Sequence, residues 1–480
     1  DALPIWLPDL FIRTVIEDGN WYLFSPSDTR DLHELYGEKF DKKYKKYCKL
    51  ADQGELENHK VMKAKDLWKK MLRVLFETGH PWMTFKDNAN FRYSNSHEGI
   101  VHSSNLCTEI FLHTKPSRFD EGEKTEVGET AVCNLSSVNL KQHLKQDGTL
   151  DFDLLTKTIA TQMRMLDNVI DLNFYPTQEA KKANMSHRPV GAGTMGWADV
   201  FHSYKVDFSS DDAVKFSDEL YEFISYNCIL NSSRLAAERG KYNTYEGSLW
   251  SQDILPIDTY KNLMEYLGQK PMIHRGKKFC PEVDWKELRK SIKENGMRNS
   301  NTMAIAPTAT ISYIQGCSPC IEPDFSVLFV YENKSGNLTI VNEWFIKECK
   351  DLGIWNHSLI DAIKAVDGDL RLLPDGLVPK DLKDRFCTAF DRDQFKLIDS
   401  AAAKQKWIDM GQSLNLFNKE TSLKYLNDLY IHARNSGLKS TYYLRNKSAS
   451  KIEKSTKTET AIQEEPTACS ILDPTCESCQ

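Results

Sequence analysis

The chain lacks any apolar run approaching the roughly 18 residues that a membrane-spanning helix needs, and its start carries no signal-peptide pattern. A cytoplasmic setting away from membranes is therefore expected. It also lacks an excess of positive charge. Lys and Arg number 62 against 68 Asp and Glu, giving a net charge of -6 and a pI near 6.1. That balance excludes a general attraction to nucleic acid, so any nucleotide must be held at a local site. Zinc-binding patterns are missing from the globular part: Cys317-Ser318-Pro319-Cys320 has neither a second C-x-x-C nor a spaced His pair to accompany it. It reads as a loop with spare thiols, and no metal site is expected. The twelve cysteines are spread thinly from Cys48 to Cys479, unlike a secreted disulfide scaffold. Cys48, Cys228, Cys280, Cys349 and Cys387 stand alone and read as structural.

What is present suits a globular protein: 27% charged and 40% apolar residues over 480 positions. That is a large α/β unit or two to three ordinary domains. Helical spacing of Val61, Ala64, Leu67, Trp68, Met71 and Leu75 predicts a helix over 56–78, ended by Gly79 and Pro81. Further helices are expected over 155–171, from a Ser210 cap to Gly240, over 284–295, and over 421–436. From Leu338 onward the chain reads as mostly helical. Gly191-Ala192-Gly193-Thr194-Met195-Gly196 matches the dinucleotide fingerprint, but polar, basic sequence precedes it where a hydrophobic strand is required. These glycines read instead as close packing at a helix start.

Chemistry concentrates in a few stretches. In Asn105-Leu106-Cys107-Thr108-Glu109 an extended backbone would point Asn105, Cys107 and Glu109 to one side. An amide can hold a substrate hydroxyl, a carboxylate can take its proton, and a sulfur can do redox or radical work. A polar excursion over 113–130 returns through Ala131-Val132-Cys133-Asn134-Leu135, expected as a second strand whose pairing with the first brings Cys133 near Cys107. A short strand over 301–306 leads into Pro307-Thr308-Ala309-Thr310-Ile311, where hydroxyls before a helix start could cradle a phosphate. A strand over 438–445 carries Tyr442-Tyr443, side chains suited to stepwise one-electron transfer. From Ser448 the composition turns to Lys, Glu, Ser and Thr, a disordered tail with Cys469, Cys476 and Cys479.

Taken in order, Asn-Leu-Cys-x-Glu, Cys133 in its Ala-Val-Cys-Asn-Leu-Ser-Ser context, Pro-Thr-Ala-Thr before Ile321-Glu322-Pro323, Tyr442-Tyr443 and the tail dithiol resemble the large subunit of class I ribonucleotide reductases. Arg188-Pro189-Val190-Gly191, Gly247-Ser248-Leu249-Trp250 and the segment Ile254 to Tyr260 are similar too. The resemblance implies an α/β fold, part of a ten-stranded barrel with a central finger loop, helices outside and a flexible tail. Residues 1–447 would be the C-terminal portion of the catalytic barrel and 448–480 the redox tail.

The same resemblance implies roles. Cys107 would become a thiyl radical that abstracts the ribose 3′ hydrogen, Glu109 would take the 3′-hydroxyl proton, and Asn105 would orient the hydroxyls. Cys133 would be one of two reducing thiols. Pro307, Thr308, Ala309, Thr310 and Ile311 would bind the substrate diphosphate, and Tyr442 and Tyr443 would relay the radical. Cys476 and Cys479 would reduce the spent disulfide and be regenerated by thioredoxin or glutaredoxin. The chain itself would bind no cofactor, the radical coming from a dinuclear iron or manganese centre in a partner small subunit. Large subunits would pair as a homodimer. Family members carry a region ahead of the point where this chain opens, including the cysteine that pairs with Cys133. The expectation is a fragment or split-gene product that turns over only with a missing N-terminal half. Two rival readings are a cobalamin-dependent reductase, which has no use for Tyr442-Tyr443, and a non-catalytic protein that binds the small subunit or offers tail thiols.

Overall fold

Short extended segments pair side by side while helices of up to 29 residues pack over them. The structure is a computed structural model describing residues 4–273, 276–333 and 336–446. Leu135–Asn139 pairs in parallel with Gly191–Met195. Ala192 bridges in parallel to Met303, and Ile305 bridges in parallel to Gln412. Leu416–Asn418 pairs in parallel with Leu444–Asn446. Thr84 then bridges antiparallel to Ser440, and Met83–Phe85 pairs in parallel with Ile5–Leu7. Together these contacts set seven segments in one lateral arc. One antiparallel join divides it into a run of five and a run of two.

The described residues leave that arc open at Leu135–Asn139 and at Ile5–Leu7. A barrel closes only when both edges find partners, and these two edges have none among the described residues, so the seven segments form an open arc, as part of a ten-stranded barrel would.

Both faces of the arc are covered, as parallel strands require. Gly191–Met195 is buried along its whole length, and a Cβ on Gly193 would sit 2.5 Å from the Ala304 carbonyl oxygen. The glycine run is thus close packing along a strand, and its last member, Gly196 at φ 81°, is the N-cap of the helix Trp197–Ser203, the helix start expected for it.

The helix Asp211–Arg239 lies at the centre of the helical layer. The Ser210 hydroxyl accepts from the Ala213 N–H at 3.1 Å, two aspartates occupy the first turn, and Gly240 ends it. It is buried on nearly every side, as a core helix surrounded by other helices must be. Phe152–Leu172, Trp285–Asn295 and Gln394–Gln405 pack against it. The largest apolar cluster joins this layer to Ala192, Met303 and Ile305 of the arc, and a second joins Leu7, Met83, Leu416 and Leu444 to the helices Asp9–Ile16 and Ala64–Thr78. Each fully buried Leu or Phe in such clusters contributes about 2 kcal/mol.

Several local expectations change. The helix over 56–78 starts only at Ala64, because His59–Lys63 is recruited as a strand by Asn20–Phe24. Its end is as expected, with Gly79 at φ 75°. The excursion over 113–130 holds an exposed hairpin of Arg118–Asp120 and Glu123–Glu126, closed by the Lys115 to Glu129 bridge. The helical stretch expected from Leu338 is preceded by a hairpin of Leu328–Asn333 and Gly336–Val341, which takes Leu338 into a strand. The strand expected over 301–306 is reduced to single bridges at Met303 and Ile305. That expected over 438–445 is regular only as Leu444–Asn446.

Candidate active site

Asn105 folds its own neighbourhood into a turn. Its carbonyl accepts from the Thr108 N–H at 3.2 Å, and its side-chain oxygen accepts from the N–H groups of Glu109 at 3.1 Å and Ile110 at 3.0 Å. Its amide nitrogen donates to Glu109 Oε2 at 2.8 Å. Thr108 sits at φ 62°, a left-handed conformation that an extended strand excludes. The extended geometry expected for residues 105–109 is therefore overturned. Asparagine side chains compete for nearby backbone donors, and here that competition joins the amide to the carboxylate.

The arc holds this turn from two sides. The Ser440 hydroxyl donates to the Thr108 carbonyl at 2.7 Å, and the Thr108 hydroxyl donates to the Thr441 carbonyl at 3.2 Å. The Gly411 N–H donates to the Glu109 carbonyl at 2.8 Å. Gly411 is needed there, since a Cβ would collide with the Phe111 ring. Ser413 donates to the Cys107 carbonyl, and its hydroxyl lies 3.3 Å from Glu109 Oε2.

Cys107 is half-buried, and the Tyr442 hydroxyl donates to its sulfur at 3.4 Å. Burial pushes the thiol up; the Tyr442 hydrogen bond opposes that and Glu109 adds to it. The sulfur is thus kept as a thiol carrying a transferable hydrogen. Glu109 is 2% exposed. Burial raises its carboxyl, against the pull of Asn105, the backbone and Ser413. Burial likewise raises the Tyr442 phenol, and the contact with Cys107 adds to the rise.

The ring centroids of Tyr442 and Tyr443 are 4.4 Å apart, and Trp82 touches both at 4.9 and 5.2 Å. Their backbone continues the ladder toward Leu444–Asn446: the Tyr442 N–H donates to the Leu414 carbonyl at 2.7 Å, and the Leu416 N–H donates to that of Tyr443 at 2.9 Å.

Cys133 is not delivered by pairing of two strands. Residues 131–134 are irregular, and Leu135–Asn139 pairs with Gly191–Met195. The residue is exposed. Although the residue keeps an exposed surface, its sulfur is desolvated beside Glu109 and Cys107, which pushes the thiol up to about 11, both neighbours adding to the rise.

The stretch over 307–311 is divided. Pro307 and Ala309 line a cavity of about 760 Å³, together with Glu322, Asn415, Tyr442 and Tyr443. Thr308, at φ 50°, accepts the Cys320 N–H on its hydroxyl at 2.8 Å. Ile311 is 47% exposed. The expected helix start is one turn, Ile311–Ile314, with no side-chain cap from Thr310. A helix dipole of that length has little to offer an anion, so any phosphate must rely on the turn itself. Cys317 and Cys320 are both buried, and burial pushes the Cys317 thiol up to about 12. Cys228, Cys280, Cys349 and Cys387 are buried too. Cys469, Cys476, Cys479 and the tail over 448–480 lie outside the described residues.

Among the described residues, Glu98, His113 and His187 are the group with metal-ligand atoms within 4.8 Å of one another. Both Nε2 atoms lie 2.8 Å from Glu129 Oε2, and the Nδ1 atoms face the hydroxyls of Tyr93 and Thr244 at 2.7 Å. The cluster is accounted for as a hydrogen-bonded network. Ser413, Gly411 and Trp82 carry no motif, and only the fold brings them to Cys107 and the tyrosines.

A thiol-bearing turn clasped to an α/β arc, with two tyrosines leading to its sulfur, is the site that the fold assembles. The chain belongs to the ribonucleotide reductase family, the family described as "Ribonucleotide reductase, barrel domain" matching residues 2–444. It is 47% identical over 450 residues to the ribonucleoside-diphosphate reductase subunit alpha of Chlamydia muridarum (strain MoPn / Nigg), covering 94% of this chain and 41% of that protein. It is 37% identical over 508 residues to the subunit of that name from Helicobacter pylori (strain ATCC 700392 / 26695), covering 95% and 58%. Identity is 35% over 457 residues to a ribonucleoside-diphosphate reductase large chain of Saccharomyces cerevisiae, covering 94% and 49%. The chain spans about half the length of these curated relatives. No helix among the described residues is long and apolar enough to cross a membrane.

Proposed function

We propose that this chain is the barrel portion of the catalytic subunit of a ribonucleoside-diphosphate reductase, forming 2′-deoxyribonucleotides by thiyl-radical chemistry. The observation that carries the reading is the 3.4 Å contact between the Tyr442 hydroxyl and Cys107 Sγ, beside a carboxylate gripped by Asn105 at 2.8 Å. Tyr442, oxidised to a phenoxyl, takes the hydrogen atom of the Cys107 thiol. Tyr442 regains its O–H bond and sulfur is left as the radical. Pushing both pKa values up supports this step, since it keeps the hydrogen on the donor group and restores it on the acceptor.

The sulfur radical removes the ribose 3′ hydrogen while Glu109 accepts the 3′-hydroxyl proton and Asn105 holds the hydroxyls. Glu109 must be ionised to do so; burial raises its carboxyl, and Asn105, the backbone and Ser413 limit that rise. The 2′-hydroxyl leaves as water. Cys133 and a second thiol supply two electrons and two protons, one proton leaving with the water and the other hydrogen reaching C2′, and become a disulfide; Glu109 returns its proton to the 3′ oxygen and Cys107 returns its hydrogen to C3′, restoring the sulfur radical. Cys476 and Cys479 reduce that disulfide before thioredoxin or glutaredoxin resets them. Pro307, Ala309 and the turn between Thr308 and Ile311 meet the diphosphate at the cavity wall.

A dinuclear iron or manganese centre in a partner small subunit supplies the oxidising equivalent that reaches Tyr443 and then Tyr442. Activity further draws on the segments that the longer relatives carry, as a covalent or separate N-terminal half, with two large subunits pairing. The contact between Tyr442 and Cys107 disfavours a cobalamin-type enzyme, which places no such demand on a tyrosine. The test is deoxynucleotide formation by this chain with a small subunit, with and without a complementing N-terminal half. Turnover that needs both and vanishes in Cys107→Ser supports the reading. Unchanged biological effect of Cys107→Ser would leave only a binding protein, and sustained turnover without the complementing half would remove the requirement for it.

A further inference from the structure

Glu322, in the Ile321-Glu322-Pro323 motif, has no part in the chemistry above, yet it is a carboxylate set among buried groups. Such a charge is costly unless its oxygens are satisfied. Both are satisfied by one residue: Glu322 Oε1 accepts the Asn415 backbone N–H at 3.0 Å, and Oε2 accepts the Asn415 side-chain amide at 3.0 Å. Asn415 has one acceptor left, its side-chain oxygen, which receives the Tyr443 N–H at 3.2 Å. The amide orientation follows from its neighbours, because its NH₂ must face the carboxylate and its oxygen the N–H.

Glu322, Asn415 and Tyr443 all border the cavity of about 760 Å³. The Tyr443 ring, 4.4 Å from that of Tyr442, is flanked by Trp82 at 5.2 Å and by the Arg445 guanidinium at 5.2 Å, so what remains to be fixed is its backbone. The ladder bonds at Leu414 and Leu416 hold the Tyr442 N–H and the Tyr443 carbonyl. They leave the Tyr443 N–H to Asn415 alone.

We infer that Glu322 is a positioning residue that acts through Asn415 to fix Tyr443, and with it the ring-to-ring step to Tyr442. The inference rests on the function proposed above. Both Glu322 carboxylate oxygens are engaged by Asn415, so its removal should slow delivery of the radical more than binding of the nucleotide.

The experiment uses three variants of the full chain. In Glu322→Gln one acceptor is replaced by an NH₂ that meets the Asn415 NH₂. In Asn415→Asp two carboxyl groups meet. The double variant E322Q/N415D exchanges the two groups: the amide now at position 322 donates to the carboxylate now at position 415. The backbone N–H of residue 415 still finds a side-chain oxygen at position 322, and the Tyr443 N–H still has its acceptor. Each variant is read in two ways. Hydrogen exchange at the Tyr443 N–H needs no partner protein. Nucleotide Kd, kcat and loss of the small-subunit radical in a single turnover are measured in the complete assembly.

We expect Tyr443 exchange to rise and kcat and radical loss to fall by about tenfold in each single variant, one lost hydrogen bond being worth that much. The Kd should stay within about twofold, and the double variant should recover both readouts. Unchanged exchange in the single variants overturns the clamp. Faster exchange with unchanged kcat, or a double variant no better than the singles, overturns its positioning role. An unsubstituted assembly that makes no deoxynucleotide fails the proposed function instead, while the exchange arm still decides the clamp.

Discussion

Ser413 offers the sharpest test of how the turn at Cys107 works, because one hydroxyl serves two of its members. It donates to the Cys107 carbonyl and lies 3.3 Å from Glu109 Oε2. Ser413→Ala removes both contacts and adds no bulk. The Cys107 carbonyl loses this partner in a part-buried site, a loss of about 1 kcal/mol that should appear as a small drop in unfolding free energy. The catalytic consequence has a definite sign. Burial raises the Glu109 carboxyl and Ser413 is among the groups that lower it, so the variant carries a Glu109 that ionises at higher pH. A base works only when ionised, hence the acid limb of the kcat/KM profile moves up. The single hydroxyl hydrogen is shared with the Cys107 carbonyl, so only part of a hydrogen bond reaches the carboxylate and the limb should move up by about half a pH unit or less, 1.36 kcal/mol being one unit. The assay is kcat/KM against pH in the complete assembly. An acid limb that stays put, or moves down, refutes this account of Glu109.

Three further substitutions probe what holds the site in place. Asp167 is fully buried and faces Arg188 at 2.7 Å, Arg239 at 2.7 Å and Arg298 at 3.1 Å. Asp167→Asn should cost about 3 kcal/mol in urea unfolding, and a loss typical of an exposed pair, under about 1 kcal/mol, would contradict a buried cluster. A side chain at Gly193 would drive a Cβ to 2.5 Å from the Ala304 oxygen. Gly193→Val should therefore destabilise by about 2 kcal/mol; an unchanged urea midpoint would mean the two segments can part freely. Burial alone would raise Glu129, yet hydrogen bonds from His113 and His187 outweigh it and hold the carboxylate well below the usual range. A depressed carboxylate stabilises above its unfolded value of about 4.3 and loses that contribution as pH falls below it. Glu129→Gln should therefore be less stable than the native chain by about 2 kcal/mol at neutral pH, with the gap closing in acid. A gap that stays constant down to about pH 3 would rule this out.

Much of the helical layer was legible because its signals are local. The expected helix over 155–171 appears as Phe152–Leu172, the Ser210 cap and Gly240 bracket Asp211–Arg239, and 284–295 appears as Trp285–Asn295. A cap, an apolar repeat and a terminating glycine lie within a few residues of one another. Strands were legible only as apolar fragments. Whether 59–63 extends the next helix or becomes a strand depends on Asn20–Phe24, a partner far off in the chain. Sequence alone has no access to that partner.

The site shows the same division. By itself the order of residue types singled out the candidate side chains: an amide, a thiol and a carboxylate at alternate positions, a second cysteine downstream, a tyrosine pair near the end of the arc. How they converge was decided elsewhere. Asn105 bends its segment into a turn, and only tertiary contacts set that turn against Ser413 and Ser440 and bring Tyr442 to Cys107 across 335 residues of chain. Residue identity is written position by position, whereas a contact between distant positions exists only once burial of the helices and arc has offset the entropy of bringing them together.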